Sequence, residues 1–191
     1  MRSRIAALII VLGLALAGLL VADAIPVDIK KQASDAPSSV HPAWTEVKWP
    51  FPLDQWGLGR AFACRPADCG AELDLYLRAK LGFCNCATGV SDDAELDRVG
   101  DLELLSATFN ALRDGQPIAV GWMSGRSRPY QVAVRYGAPR TALAIAFNDK
   151  CDVVVATVVA ERSRLAEAEG AALAFLNGDL VLRWVEKELG L

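Results

Sequence analysis

The 191-residue sequence contains a single histidine, His41, and it lies in a stretch rich in proline and serine. Nucleophilic hydrolysis needs a base within hydrogen-bond reach of the nucleophile, and a polar tether is a poor place to hold one. Ser-His-Asp and Cys-His hydrolases are therefore disfavoured, as is a histidine-ligated metal. A glycine-rich phosphate loop is also lacking. Gly57-Leu58-Gly59 carries no more of any nucleotide-binding fingerprint, and glycines near a strand more often mark close backbone approach. There is no Cys-x-x-Cys pair, no basic run and no internal repeat. The net charge of −3 suits neither nucleic acid nor anionic lipid. These residues lead to no expected cofactor or metal.

A long hydrophobic run, in contrast, is present at the start. Arg2 and Arg4 precede an apolar segment from Ile5 to Val21, and Ala22-Asp23-Ala24 follows. That order describes a secretory signal peptide over residues 1–24. The run is nearly as long as the roughly 20 residues a bilayer span requires, so an uncleaved membrane anchor is the alternative. Both readings translocate the rest of the chain, because the positive charges precede the apolar segment. The protein is thus expected outside the cytoplasm, periplasmic or extracellular, or held at the inner membrane by residues 5–21. Cleavage removes Arg2, Arg4 and Asp23, moving the net charge from −3 to −4. Residues 25–43, with Pro26, Pro37 and Pro42 and no apolar periodicity, read as a flexible tether. Residues 44–191 read as a single domain. A reporter enzyme fused after Leu191 is expected to be active outside the cytoplasm, and cytoplasmic activity would overturn the compartment.

Within that domain, Leu73, Leu75, Leu77, Ala79, Leu81 and Phe83 alternate with polar residues. This predicts a strand over 71–83 with one dry and one wet face. Trp56, Leu58, Phe62 and Cys64 alternate upstream, and Arg65–Asp68, with Pro66 at its second position, reads as a type I turn. Ser91 is placed to cap a short helix whose first turn holds Asp92, Asp93 and Glu95, with Leu96 and Val99 buried and Gly100 at its end. A second hairpin is predicted from Pro117–Met123 and Pro129–Tyr136 around Ser124–Ser127. A third is predicted from Thr141–Phe147 and Asp152–Val159. The Val153–Val159 run is apolar at nearly every position, which places it near the sheet centre. Two C-terminal helices follow, one burying Leu165, Ala168, Ala172, Leu173 and Leu176, the other Val181, Trp184, Val185 and Leu189. Between them Gly178 suits a left-handed stop and Asp179 a cap. The fold expected is α+β: a mostly antiparallel sheet of about six strands built from hairpins, with a short helix after the first and two C-terminal helices over one face.

Chemistry centres on five cysteines: Cys64, Cys69, Cys84, Cys86 and Cys151. Thiols outside the cytoplasm favour disulfides. Cys64 and Cys69 flank a turn, so hairpin pairing brings them within bridging range. Cys151 is then the partner left for Cys86 or Cys84, with one thiol unpaired. Two alternatives compete with these staples. One is a thiol-disulfide centre at Cys84-Asn85-Cys86; the other is a four-cysteine zinc module built from Cys64, Cys69, Cys84 and Cys86. Trp44, Trp49 and Trp56 form a candidate ligand or partner surface, although packing onto the sheet explains them as well. Arg126 and Arg128, flanking the second turn, are candidate anion contacts. The acids Asp92, Asp93, Glu95 and Asp97 do not match a calcium loop. By elimination, a non-catalytic envelope protein that binds a partner or small ligand is favoured.

Overall fold

The computed structural model describes residues 43–133 and 140–191. Residues 1–24, expected to be an export segment, and His41 with nearly all of the expected tether lie outside the described residues. Among those described, no helix is long and apolar enough to cross a membrane.

The described residues form an α+β domain built on an eight-stranded antiparallel sheet with four α-helices. The strands are β1 (Trp44–Val47), β2 (Arg60–Cys64), β3 (Leu73–Lys80), β4 (Phe109–Ala111), β5 (Gln116–Val120), β6 (Met123–Val132), β7 (Arg140–Asp149) and β8 (Asp152–Ala160). Their order across the sheet is β1-β2-β3-β8-β7-β6, and β4 and β5 both pair with β6 along its outer side. The helices are α1 (Pro66–Cys69), α2 (Asp93–Val99), α3 (Leu165–Leu176) and α4 (Asp179–Leu189). Six strands match the sequence expectation. The two additional ones, β1 and β4, span only four and three residues at the margins, too short to show a period.

Alternation along the central strands sorts side chains to two cores. Leu143, Ile145 and Phe147 of β7 pack with Leu73, Leu75 and Leu77 of β3 beneath α3 and α4. Ala142, Ala144 and Ala146 face the other way, where Leu96, Val99 and Leu102 cover them. The larger helices therefore sit over the bulky face and the short α2 over the alanine face. β8 lies centrally, as its continuous valine run predicts, and Val153 to Ala160 are all buried.

Several local expectations change. Arg65–Asp68 is not a type I turn. Pro66 opens a single helical turn, and Gly70, with φ +69°, closes it, an arrangement suited to proline's fixed φ and glycine's freedom. Asp92, not Ser91, caps α2, its carboxylate accepting from the Glu95 N–H at 2.8 Å. Gly178 has φ −79° and precedes α4 as its N-cap, so it is not the left-handed stop. Trp184 is half-buried while Val181, Val185 and Leu189 are enclosed.

The second hairpin turns at Gly121-Trp122, not at Ser124–Ser127. Gly121 has φ +57°, which a two-residue turn with glycine first requires. Gly125 serves a different need, since a Cβ there would lie 2.0 Å from the Ala146 carbonyl oxygen. Gly125→Ala is accordingly expected to cost about 1–3 kcal/mol by forcing β6 from β7. A denaturation midpoint unchanged from wild type would show that the strands separate freely there.

Candidate functional site

The staples form as expected. Cys64 and Cys69 are bridged with a Cα separation of 6.0 Å, and Cys86 is bridged to Cys151 across 65 residues. Cys84 is the buried free thiol, donating to the Lys150 carbonyl at 3.2 Å. Burial pushes its pKa up, and Glu95 adds to the effect. Such a thiol is a poor nucleophile. Titration with a chromogenic disulfide reagent is expected to find it unreactive in the native protein and to count one thiol after unfolding; fast native reaction would place Cys84 at the surface.

The alternative cysteine chemistries lose their geometry. Cys84 and Cys86 are not joined to each other. Cys64 pairs with Leu73 at one end of β3, while Cys84 lies beyond Lys80 at the other. Seven strand steps of about 3.3 Å separate those ends, so the four cysteines cannot converge on one zinc ion.

The tryptophans and arginines are dispersed rather than gathered. Trp44 lies on the α3 side against Phe175, with ring centroids 5.1 Å apart. Trp49 lies against Phe51 and Tyr76, and its ring passes so close to Gly59 that any Cβ there would collide with it. Arg126 and Arg128 are mid-strand in β6 and do not flank its turn; they donate to the Gly115 and Arg113 carbonyls of the connection between β4 and β5. Arg126 is ion-paired to Asp93, and Arg128 reaches Asp97 at 3.1 Å. Tyr130 donates to Asp97 as well; burial, with Asp97 beside it, raises the Tyr130 pKa. The acids of α2 thus tie the helix to β6 as well as complementing its dipole.

Trp56 alone of these candidates borders a cleft, of about 600 Å³, between the β3 face and the segment after α2. Its floor overturns the expectation of a wet face on β3, because Arg78 and Lys80 are both buried there. Asp101, which follows the end of α2, lies between them. Arg78 grips Asp101 side-on, Nε to Oδ2 at 3.0 Å and Nη2 to Oδ1 at 2.6 Å. Lys80 Nζ lies 2.8 Å from the same Oδ1 and donates to the Val99 carbonyl at 2.6 Å. Burial pushes the Lys80 amine down against the opposing pull of Asp101. Burial also disfavours the Arg78 cation, but bonds to Asp101 and Asp54 outweigh it and hold its pKa above the ordinary value.

The walls are aromatic. Trp56 and Phe83 pack in a tilted pair with centroids 4.4 Å apart, and the Lys80 ammonium lies 5.3 Å from the Phe83 centroid and 5.6 Å from that of Trp56. Phe109 of β4 contributes to the lining, and Arg98 and Glu103 stand at exposed positions around it. Sequence reading picked out Trp56 but missed Arg78, Lys80 and Asp101. Their signal was two cations at alternate strand positions, followed by an acid directly after Gly100, the expected end of the short helix.

Acid sensitivity follows from the surrounding pairs. Hydrogen bonds from Arg60, Arg78 and Arg98 hold Glu46, Asp54 and Glu95 respectively below the ordinary carboxylate range. Each group releases its proton more readily in the folded state, so the unfolded chain binds more protons as pH falls. The stabilisation is complete above the unfolded values of about 4 and is lost as pH drops through the lower folded ones. Melting temperature is expected to fall between about pH 5 and pH 3; a flat profile would mean that these pairs contribute nothing.

No protein-family model matches the sequence, and no curated protein matches it significantly. Among solved structures, similarity is found to LpqN, described as involved in cell envelope biogenesis of Mycobacterium tuberculosis. The identity is 16%, covering 69% of this chain and 86% of that one, with a TM-score of 0.37. A superposition this loose transfers neither fold nor role.

Proposed function

We propose that the protein is an exported, disulfide-stapled, non-catalytic domain that binds a small ligand, or the side chain of a partner, in the cleft beside Trp56. The cleft is the observation that carries this reading. Its volume lies within the roughly 300–1,000 Å³ typical of small-molecule sites, and it sets the rings of Trp56, Phe83 and Phe109 beside the fixed charges of Arg78, Lys80 and Asp101. Two disulfides in one domain support an oxidising compartment. The Lys80 amine is engaged by Val99 and Asp101, an arrangement that fixes charge and shape rather than delivering a nucleophile.

A fragment library screened against the 15N-labelled domain tests the assignment. Binders are expected to shift the Trp56 indole signal together with the amides of Phe83, Asp101 and Leu102. Hits that gather around Trp44 or Trp122 instead would overturn it.

A further inference from the structure

We infer that the cleft is an organic-anion site, built to take a carboxylate carried on an apolar body, and that Asp54 occupies the anion position as the chain's own competitor. The inference rests on the cleft being the functional site, and it names the ligand class. Arg78 and Lys80 place two positive charges on the floor against the single buried carboxylate of Asp101. The floor alone therefore carries one uncompensated positive charge, which an isolated buried site does not tolerate.

Asp54 supplies the missing charge, but its position differs from that of Asp101. The Asp101 side chain is 8% exposed and that of Asp54 is 37% exposed. Asp101 meets Arg78 through two nitrogens in the planar fork that best matches a carboxylate. Asp54 takes both of its bonds from one nitrogen, Nη1, at 2.8 and 2.7 Å. It is presented by a tight exposed turn in which its carbonyl accepts the Gly57 N–H. The carboxylate bound end-on from the solvent side is the replaceable one.

An entering carboxylate would take the Nη1 position and regain the charge balance that Asp54 now provides. Its body would lie along Trp56 and Phe83, whose tilted rings form the adjoining wall. Asp97 and Glu103 face Arg98 around the rest of the lining, so the preference for an anion rests on the Arg78 position, where a cationic ligand would meet the guanidinium. Neutral ligands could use the walls but would leave the guanidinium to Asp54.

The experiment is a titration of 15N-labelled full-length domain, wild type and Asp54→Asn, with benzoate, benzamide and benzamidine, read at the Trp56 indole N–H. The asparagine keeps the side-chain oxygen that accepts the backbone N–H of Trp56 and removes only the competing charge; retained signal dispersion confirms the fold. Benzoate is expected to bind best of the three, and to bind Asp54→Asn roughly fivefold more tightly than wild type, the size of a part-exposed ion pair. Asp54→Glu should keep benzoate binding near the wild-type level. Equal benzoate affinity in wild type and Asp54→Asn would overturn the role of Asp54. Preference for benzamide or benzamidine would overturn the anion assignment while leaving the cleft as a binding site. No shift at Trp56 with any probe would overturn both.

Discussion

Asp101→Asn is expected to destabilise the domain by about 3–5 kcal/mol, the largest effect of any single conservative change in the cleft. The substitution preserves shape and removes only charge, leaving Arg78 and Lys80 buried side by side with no carboxylate between them. Coulomb repulsion between the two cations then adds to their desolvation cost. Lys80→Met is expected to cost much less, because an apolar side chain of similar length replaces a buried cation and leaves Arg78 its full pairing with Asp101. Urea denaturation of the two variants beside wild type checks both statements. A loss below about 1 kcal/mol for Asp101→Asn would mean that water reaches and compensates the pair.

Cys151→Ser is expected to cost about 4 kcal/mol, through release of the 65-residue loop closed on Cys86. For a domain of this size that corresponds to a melting temperature lower by about 8–16 °C. Breaking the Cys64–Cys69 bridge, whose partners lie only five residues apart, should cost about 2 kcal/mol under the same chain-entropy relation. The long loop matters because it joins the segment after β3 to the β7–β8 turn, at the end of the sheet where Cys84 is also buried. Equal losses from the two bridges would show that native contacts, rather than loop length, set their contribution.

Much of the fold was legible because it rests on period. The alternation of leucines through β3 and the unbroken valines of β8 each dictate one arrangement of faces; β8 lies where its pattern puts it, and β3 runs from Leu73 to Lys80 but ends before Leu81, which is exposed. Alanine and leucine spacing likewise located α3 and the inward side of α4. Turns were less legible. Ser124-Gly125 resembled a turn because glycine has two uses, and here Gly125 relieves a cross-strand approach while Gly121 makes the bend. Pro66 likewise suits both a turn and the first residue of a helix, and only Gly70 beyond it decides.

The site was the least legible part, for a physical reason. A charged residue on a strand reads as wet unless its partner is known, and the partner of Arg78 and Lys80 is 21 or more positions downstream in a segment without periodicity. Asp101 converts two expected surface cations into a buried floor. Trp56 was visible as one of three tryptophans, yet chain proximity did not make them neighbours in function. Trp44 and Trp49 pack against Phe175 and Tyr76 respectively, as the packing explanation anticipated, while Trp56 lines the cleft.

Crystals of the domain soaked with carboxylate-bearing, neutral and cationic aromatic fragments provide the most direct measurement of the central claim. The account predicts fragment density against Trp56 and Phe83, above Arg78, in the roughly 600 Å³ cleft. Fragments bound reproducibly elsewhere on the sheet, with that cleft empty, would contradict it.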